Sequence, residues 1–101
     1  MQRHDDAAYG RLLLAAGRFA DSCAWDETGE ERYSSLRTGA SMLGDFGEVQ
    51  VGHEIFTPDA HYALTRAIAM LQAIKNDPNL PRPVDDEIKR LKAELARFKR
   101  R

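Results

Sequence analysis

Apolar residues recur every three or four positions along the first quarter of the chain, which is the spacing of an amphipathic helix. With Asp5 or Asp6 as the N-terminal cap, this pattern predicts a first helix over residues 6–24. Cys23 falls on the apolar stripe, where a free cysteine behaves as a small hydrophobic side chain, and we expect it to be buried. The stripe consists of Ala8, Leu12, Ala15, Phe19 and Cys23, widened by Tyr9, Leu13, Ala16 and Ala20.

A second helix is predicted to begin at Thr28. Thr28 and Glu31 have the spacing of a capping box, in which each side chain satisfies the free backbone N–H of the other residue. Glycine readily adopts the left-handed backbone conformation found at helix ends, so we expect this helix to end at Gly44. The apolar positions on one face are Tyr33, Leu36, Ala40 and Leu43.

The segment 45–56 supports two interpretations. Its apolar positions alternate with polar ones at the strand period, interrupted by Gly52. A strand needs a pairing partner, and the segment Leu36–Met42 could supply it. In this alternative, residues 36–56 form a short β-hairpin in place of the C-terminal half of the second helix. The alternating positions are Val49, Val51, His53 and Ile55.

Thr57, Pro58 and Asp59 predict the start of a third helix. The hydroxyl group caps a free N–H, the proline stands where no N–H is needed, and the acid faces the positive end of the helix dipole. Much of the segment that follows is apolar, so we expect this helix to be central and the most buried. Three prolines within residues 76–83 end it. Its main stripe is Ala60, Leu64, Ala67, Ile68, Leu71 and Ile74.

The last segment has the spacing of a coiled-coil seam. Its apolar residues, separated by four, three, four and three positions, are Val84, Ile88, Leu91, Leu95 and Phe98. Acidic residues at the beginning and basic residues at the end complement the helix dipole. Such a seam must be covered: it can fold back on the first and third helices of the same chain, or reach another protomer or partner. We expect the second arrangement.

These elements together predict a mainly α fold, a small helical bundle of three to four helices with a possible short β-hairpin and a C-terminal amphipathic helix. We divide the chain into a helical core domain (1–76), a proline-rich connector (77–83) and an amphipathic assembly helix (84–101). A connector of this length allows the last helix to pack on its own chain or on another.

Composition and charge exclude several classes of protein. With 101 residues, 43% hydrophobic and 31% charged, the chain can fold as one small domain and is too short for most multi-part enzymes. A net charge of -1 lacks the uniformly basic signature of a dedicated nucleic-acid binder and the acidic one of a DNA mimic. A single cysteine rules out an intramolecular disulfide. Without a signal-like start or a membrane-spanning apolar run, we expect a cytoplasmic protein with no membrane association.

The reactive residues do not form a recognised catalytic or metal-binding pattern. His53, Glu54 and His61 are the only sequence cluster that suggests a metal, and their spacing crosses a boundary marked by proline. The glycines fall in neither the dinucleotide nor the nucleoside-triphosphate spacing. We therefore predict no metal, no cofactor and no enzymatic activity.

A single tryptophan lies in an acidic segment between the first two helices. Trp25 is surrounded by carboxylates that include Asp26, Glu27 and Glu30. Tryptophan is enriched at binding hot spots, and acids around it would steer a basic partner. We treat the segment as a candidate docking patch, the alternative being a solvated turn in which Trp25 closes the core.

The charge is unevenly distributed: residues 1–31 carry three Arg against seven acids, net -4, and residues 84–101 carry seven basic residues against four acids, net +3. We predict a non-enzymatic protein that acts by protein–protein interaction, as an accessory, regulatory or inhibitory subunit and as a homodimer. The seam and the Trp25 patch would form its interaction sites. The alternative is a small nucleic-acid-associated factor that contacts phosphates through its C-terminal cations. These are Arg97, Lys99, Arg100 and Arg101.

Overall fold

The computed structural model describes residues 6–77 and 84–100, excluding the side chains of Asp6, Ala7 and Arg100. It contains α1 (Asp6–Ala24), α2 (Gly29–Gly52), α3 (Pro58–Lys75) and α4 (Asp85–Ala96), and a short 3₁₀ turn (Arg97–Arg100). Within those ranges there is no strand, which confirms the prediction of a small, mainly helical bundle. Most of the predicted connector, from residue 78 to 83, lies outside the described residues, as does Arg101.

The predicted beginnings of the first and third helices are confirmed. α1 has the predicted bounds, and α3 begins with Pro58 in its first turn. The Thr57 hydroxyl oxygen accepts a hydrogen bond of 3.1 Å from the backbone N–H of Ala60, which is the expected N-cap. Thr28 is also the N-cap residue of α2, but its side chain makes no capping hydrogen bond.

The predicted helix end at Gly44 and the alternative β-hairpin are both wrong, because α2 continues through Gly44 to Gly52. Gly44 and Gly47 do not end the helix; both are buried within it, and Gly47 marks a close approach to α3. A Cβ atom at Gly47 would lie 2.5 Å from Cγ of Leu64, so only glycine lets α2 approach α3 this closely there. The alternating pattern does not correspond to a strand: Val49 and Val51 lie in the last turn of α2, where Val51 is buried and Val49 is exposed, and Ile55 follows the helix and is exposed.

The core lies mainly between α2 and α3. α3 is the most thoroughly buried helix, as predicted, with eight residues that solvent barely reaches. These are Ala60, Ala63, Leu64, Ala67, Ile68, Met70, Leu71 and Ile74. They pack against Leu36, Leu43 and Val51 of α2 in one hydrophobic cluster.

The seam of α4 belongs to this same cluster. Val84, Ile88 and Leu91 are buried in it, and Leu95 and Phe98 pack against it partly buried. Three ion pairs join the helix to α2 and α3 at its edges: Arg37–Glu87 at 2.9 Å, Arg90–Glu48 at 2.7 Å and Lys75–Asp85 at 2.7 Å. Our expectation that the seam reaches another protomer is therefore corrected: α2 and α3 of its own chain cover it.

The stripe predicted for α1 faces outward. Leu12 and Phe19 are 65% and 71% exposed, Ala8 and Ala15 are exposed too, and Cys23 is only half-buried. The opposite side of α1 packs on α2 and α3 instead, through Gly10, Leu13, Leu14, Gly17, Ala20, Asp21 and Ala24. The small residues on that side explain the choice, because they allow α1 to approach its neighbours closely.

Candidate protein-interaction surface

The most unusual surface of the molecule is the outward side of α1. We call Ala8, Leu12, Ala15 and Phe19 the outer face; they are separated by four, three and four positions, the spacing also found in the α4 seam. No other described residue covers them, whereas the α4 seam is closed. A helical stripe of this kind is usually buried against another element, so its exposure calls for a physical explanation.

The explanation is that α1 is apolar on two opposite sides, and only one side of a helix can pack against the core. At its inner side, Gly17 lies so close to α2 that a Cβ atom there would be 2.6 Å from Leu43 Cγ and 3.3 Å from its backbone nitrogen. Leu13 and Leu14 pack against the core from the same side. Once this contact is made, the geometry of the helix leaves Leu12 and Phe19 pointing away from the core.

Two arginines line one flank of the outer face. Arg11 is exposed, and Nη2 of Arg18 lies 3.9 Å from an Asp59 carboxylate oxygen at the start of α3. The Arg18 guanidinium also lies over the Tyr62 ring, 4.9 Å from its centroid. The flank is therefore positively charged, with Asp59 as its nearest counter-charge.

An apolar groove of about 450 Å³ borders the N-terminal end of the other flank. Tyr9, Val49 and Ile55 at its rim are all among the exposed large hydrophobic side chains. Phe46 and Leu13 form part of its lining. The outer face and the groove together place apolar surface along α1 and onto the end of α2.

A polar cluster attaches α1 to α3 on the inner side. Arg66 Nε donates to Asp21 Oδ2 at 2.8 Å, and Arg66 Nη2 and Trp25 Nε1 donate to Oδ1 at 3.1 and 2.8 Å. Burial raises the pKa of the Asp21 carboxyl, but the hydrogen bonds from Arg66 and Trp25 and the charge of Arg66 outweigh it and lower that pKa. Asp21 is therefore an ionised anchor of the fold.

The Trp25 patch differs from its sequence interpretation. The guanidinium carbons of Arg32 and Arg66 lie over its ring, 5.2 and 5.8 Å from the centroid, so the surroundings of Trp25 are not purely acidic. Glu27 accepts a 2.6 Å hydrogen bond from Ser35, while Asp26 and Glu30 are exposed. The indole is 43% exposed and is held in place by the fold.

The predicted cationic terminus is partly engaged within the chain. Arg97 lies 3.5 Å from Glu94 and stands over the Phe56 ring at 5.9 Å. Lys99 is exposed, whereas the Arg100 side chain and all of Arg101 lie outside the described residues.

The residues considered for a metal site have other surroundings. His53 and Glu54 are exposed at the end of α2, and the His61 ring packs edge-on against Phe98, with centroids 5.2 Å apart. In the described part of the chain, no three His, Cys, Asp or Glu side chains are arranged so that they could hold a metal ion.

Sequence reasoning identified the outer face residues but not their exposure. Two signals were available: the four-three-four spacing of α1 matches that of α4, and Gly10, Gly17 and Ala24 recur every seven residues on the opposite side. A repeat of small residues marks the side on which a helix can approach its neighbours most closely. The Arg66 partner of Asp21 had no comparable signal, because the two residues are 45 positions apart.

Comparison with protein-family models finds no match to this chain, and no curated protein or solved structure shows significant similarity to it. Among the described helices, none combines the length and apolar character needed to cross a membrane.

Proposed function

We propose that this protein is a non-enzymatic accessory, regulatory or inhibitory subunit that binds a polypeptide partner, another protein or a second copy, through the outer face of α1. The supporting observation is the exposure of Leu12 and Phe19 on a helix whose inner side is already packed. Contiguous exposed apolar surface on a small protein is typical of an interaction site. The class of function predicted from the sequence is kept, and its site moves from α4 to α1.

The shape of the outer face favours a helical partner. Its stripe runs along a single helix, and the large side chains of Leu12 and Phe19 alternate with the small ones of Ala8 and Ala15. Side chains at this spacing fit between the residues of a facing helix. Exposed Tyr9 and Val49 extend the apolar area at one end.

A nucleic acid is the second candidate and has weaker support. Its best argument is the terminal cations, of which Arg97 is already engaged by Glu94 and Phe56. The outer face has Arg11 and Arg18 on one flank only, and its centre is apolar. A phosphate backbone would leave that apolar centre uncovered.

We further propose that the protein acts in a reducing compartment such as the cytoplasm. Cys23 is its only cysteine and is half-buried. A chain without an intramolecular disulfide depends on noncovalent contacts alone for its stability, which suits such a compartment.

The test compares partner capture by two variants of the full chain. Leu12→Glu/Phe19→Glu places two carboxylates on the outer face, and Ala93→Glu/Ala96→Glu adds the same charge to the exposed side of α4. We expect the control to retain the proteins bound by the wild type, and the outer-face variant to lose them, in nuclease-treated extract. The circular dichroism of both variants should match that of the wild type, because none of the four positions is in the core.

Two results would contradict the proposal. One is an outer-face variant that captures the same proteins as the control. The other is loss of all binding on nuclease treatment, which would favour the nucleic-acid candidate.

A further inference from the structure

We propose that the occupant of the outer face is a second copy of this chain, with the two α1 helices packed antiparallel about a two-fold axis. This inference rests on the proposed function, because it uses the same surface. Its basis is the order of large and small side chains along α1, which makes the outer face complementary to itself.

Antiparallel pairing places a large residue opposite a small one in every layer. When the axis passes between Leu12 and Ala15, Leu12 of one copy lies opposite Ala15 of the other, and Phe19 lies opposite Ala8. Each layer then has about the same width, so the two helices can stay evenly spaced along the contact.

Parallel pairing in register has the opposite effect. It would place Phe19 against Phe19 and Leu12 against Leu12, while Ala8 and Ala15 would meet their own copies. Wide layers would alternate with narrow ones, and the helices would leave voids at the alanines. The alternation of large and small side chains along α1 therefore favours the antiparallel dimer.

The charged flank gives the pairing a second signature. In an antiparallel pair, each flank meets the same flank of the other copy, so Arg11 comes near Arg18 and Asp59 of the second chain. Asp59 supplies a negative charge that reduces the repulsion between the two arginines. In a parallel pair Arg11 would instead meet Ala16, which carries no charge.

The area available sets the expected strength. The exposed parts of Tyr9, Leu12 and Phe19 amount to about 400 Å² of largely apolar surface per copy. Two copies with their rims approach the lower end of stable interfaces, about 1,200 Å² in total. We therefore expect a dissociation constant on the order of micromolar, to be measured by sedimentation equilibrium of the wild-type chain.

Disulfide trapping decides the orientation. In a Cys23→Ala background, Ala8→Cys and Phe19→Cys chains are mixed at concentrations well above the dissociation constant and oxidised. The antiparallel dimer brings position 8 of one copy close to position 19 of the other. The two copies of position 8, or of position 19, are about 16 Å apart along the helix axis, which is too far for a disulfide. We expect mixed disulfides in at least tenfold excess over either homodimer.

Each other outcome overturns part of the inference in a defined way. Disulfides between two Ala8→Cys chains and between two Phe19→Cys chains would show a parallel dimer and contradict the antiparallel pairing. A dimer unaffected by Leu12→Glu would place the interface elsewhere. A wild-type chain that is monomeric up to about 1 mM, far above the interface's expected dissociation constant, would remove the second copy as occupant.

Charge exchange tests the flank independently. Arg11→Glu places a carboxylate beside Arg18 of the second copy, and we expect dimerisation to tighten about threefold to tenfold at low salt, with the difference lost at high salt. Arg11→Gln is the control, which relieves repulsion without adding attraction and should show a smaller gain. An unchanged dissociation constant for Arg11→Glu would contradict the antiparallel flank contact.

Failure of this inference can be distinguished from failure of the proposed function. A monomeric chain whose capture of another protein still depends on Leu12 and Phe19 would leave the proposed function standing and identify a different partner. A monomeric chain whose binding ignores the outer face would contradict both.

Discussion

α1 and α4 carry the same apolar spacing, yet one stripe is exposed and the other is closed. Val84, Ile88 and Leu91 are buried in the core, whereas Leu12 and Phe19 remain open to solvent. The difference lies on the opposite side of each helix: that of α4 is charged and must face water, while that of α1 contains glycine and alanine. Spacing identifies an apolar face, and the rest of the helix decides what covers it.

The largest effect on stability is expected from a substitution in the closed α4 seam. Leu91→Ala should lower the free energy of unfolding by about 3 kcal/mol, because it removes buried apolar contacts and leaves a cavity between α4 and its neighbours. Chemical denaturation monitored by circular dichroism measures this change. The matched substitution on the open stripe is Leu12→Ala.

A smaller loss should follow when the polar anchor of α1 is weakened. Asp21→Asn removes the charge that Arg66 and Trp25 pair with, and we expect a loss of about 2 kcal/mol, moderated because Arg66 is partly exposed. Lys75→Gln, which breaks the exposed Lys75–Asp85 pair, is the control and should cost at most about 0.5 kcal/mol. Equal losses in the two variants would contradict the role given to Asp21.

The same anchor predicts a pH dependence. The pKa of Asp21 is lower in the folded chain than its ordinary value of 3.8, so the folded state favours the ionised form. Its contribution to stability is complete above that value and is lost as the pH falls through the folded-state pKa. As the pH is lowered from neutral through the ordinary carboxyl range, stability should therefore fall less steeply in Asp21→Asn than in the wild type.

Two glycines on one side of α1 sharpen the comparison further. Gly17→Ala should destabilise the fold by about 1–2 kcal/mol, since its Cβ atom would overlap Leu43 and push α1 from α2. Gly10→Ala should instead stabilise it by about 0.5–1 kcal/mol, because its Cβ atom would rest 3.7 Å from the Phe46 ring while helix propensity improves. Thermal melts of both variants distinguish a close contact from an ordinary one.

The smallest effect on stability is expected on the open stripe. Leu12→Ala should change the free energy of unfolding by less than about 0.5 kcal/mol in dilute protein, because Leu12 is 65% exposed. Association should weaken in the same variant. A loss close to that of Leu91→Ala would mean that the core covers Leu12, contrary to the structure.

The helices themselves were largely predictable from the sequence. α1 and α3 have strong periodicity and recognisable starts, and the seam of α4 was correctly identified as a stripe that must be covered. The C-terminal half of α2 was ambiguous because Gly44, Gly47 and Gly52 weaken the helical pattern. The surroundings of Gly44 and Gly47 include Leu91 and Leu64 of other helices, which local sequence does not reveal.

The candidate site was harder to predict than the fold. Sequence periodicity finds apolar stripes but does not say how many of them the chain itself can cover. The seam of α4 and the small-residue side of α1 pack against α2 and α3, and this arrangement leaves Leu12 and Phe19 exposed. It depends on packing between distant segments, such as Gly17 against Leu43.

The most direct test of the account is a concentration series of ¹H–¹⁵N correlation spectra on the wild-type chain. We predict that amide shifts change with concentration along the outer face, around Leu12, Ala15 and Phe19, while those around Ile88 and Leu91 stay constant. Shifts centred on the α4 seam, with α1 unchanged, would contradict the claim that α4 is closed and α1 is open for binding.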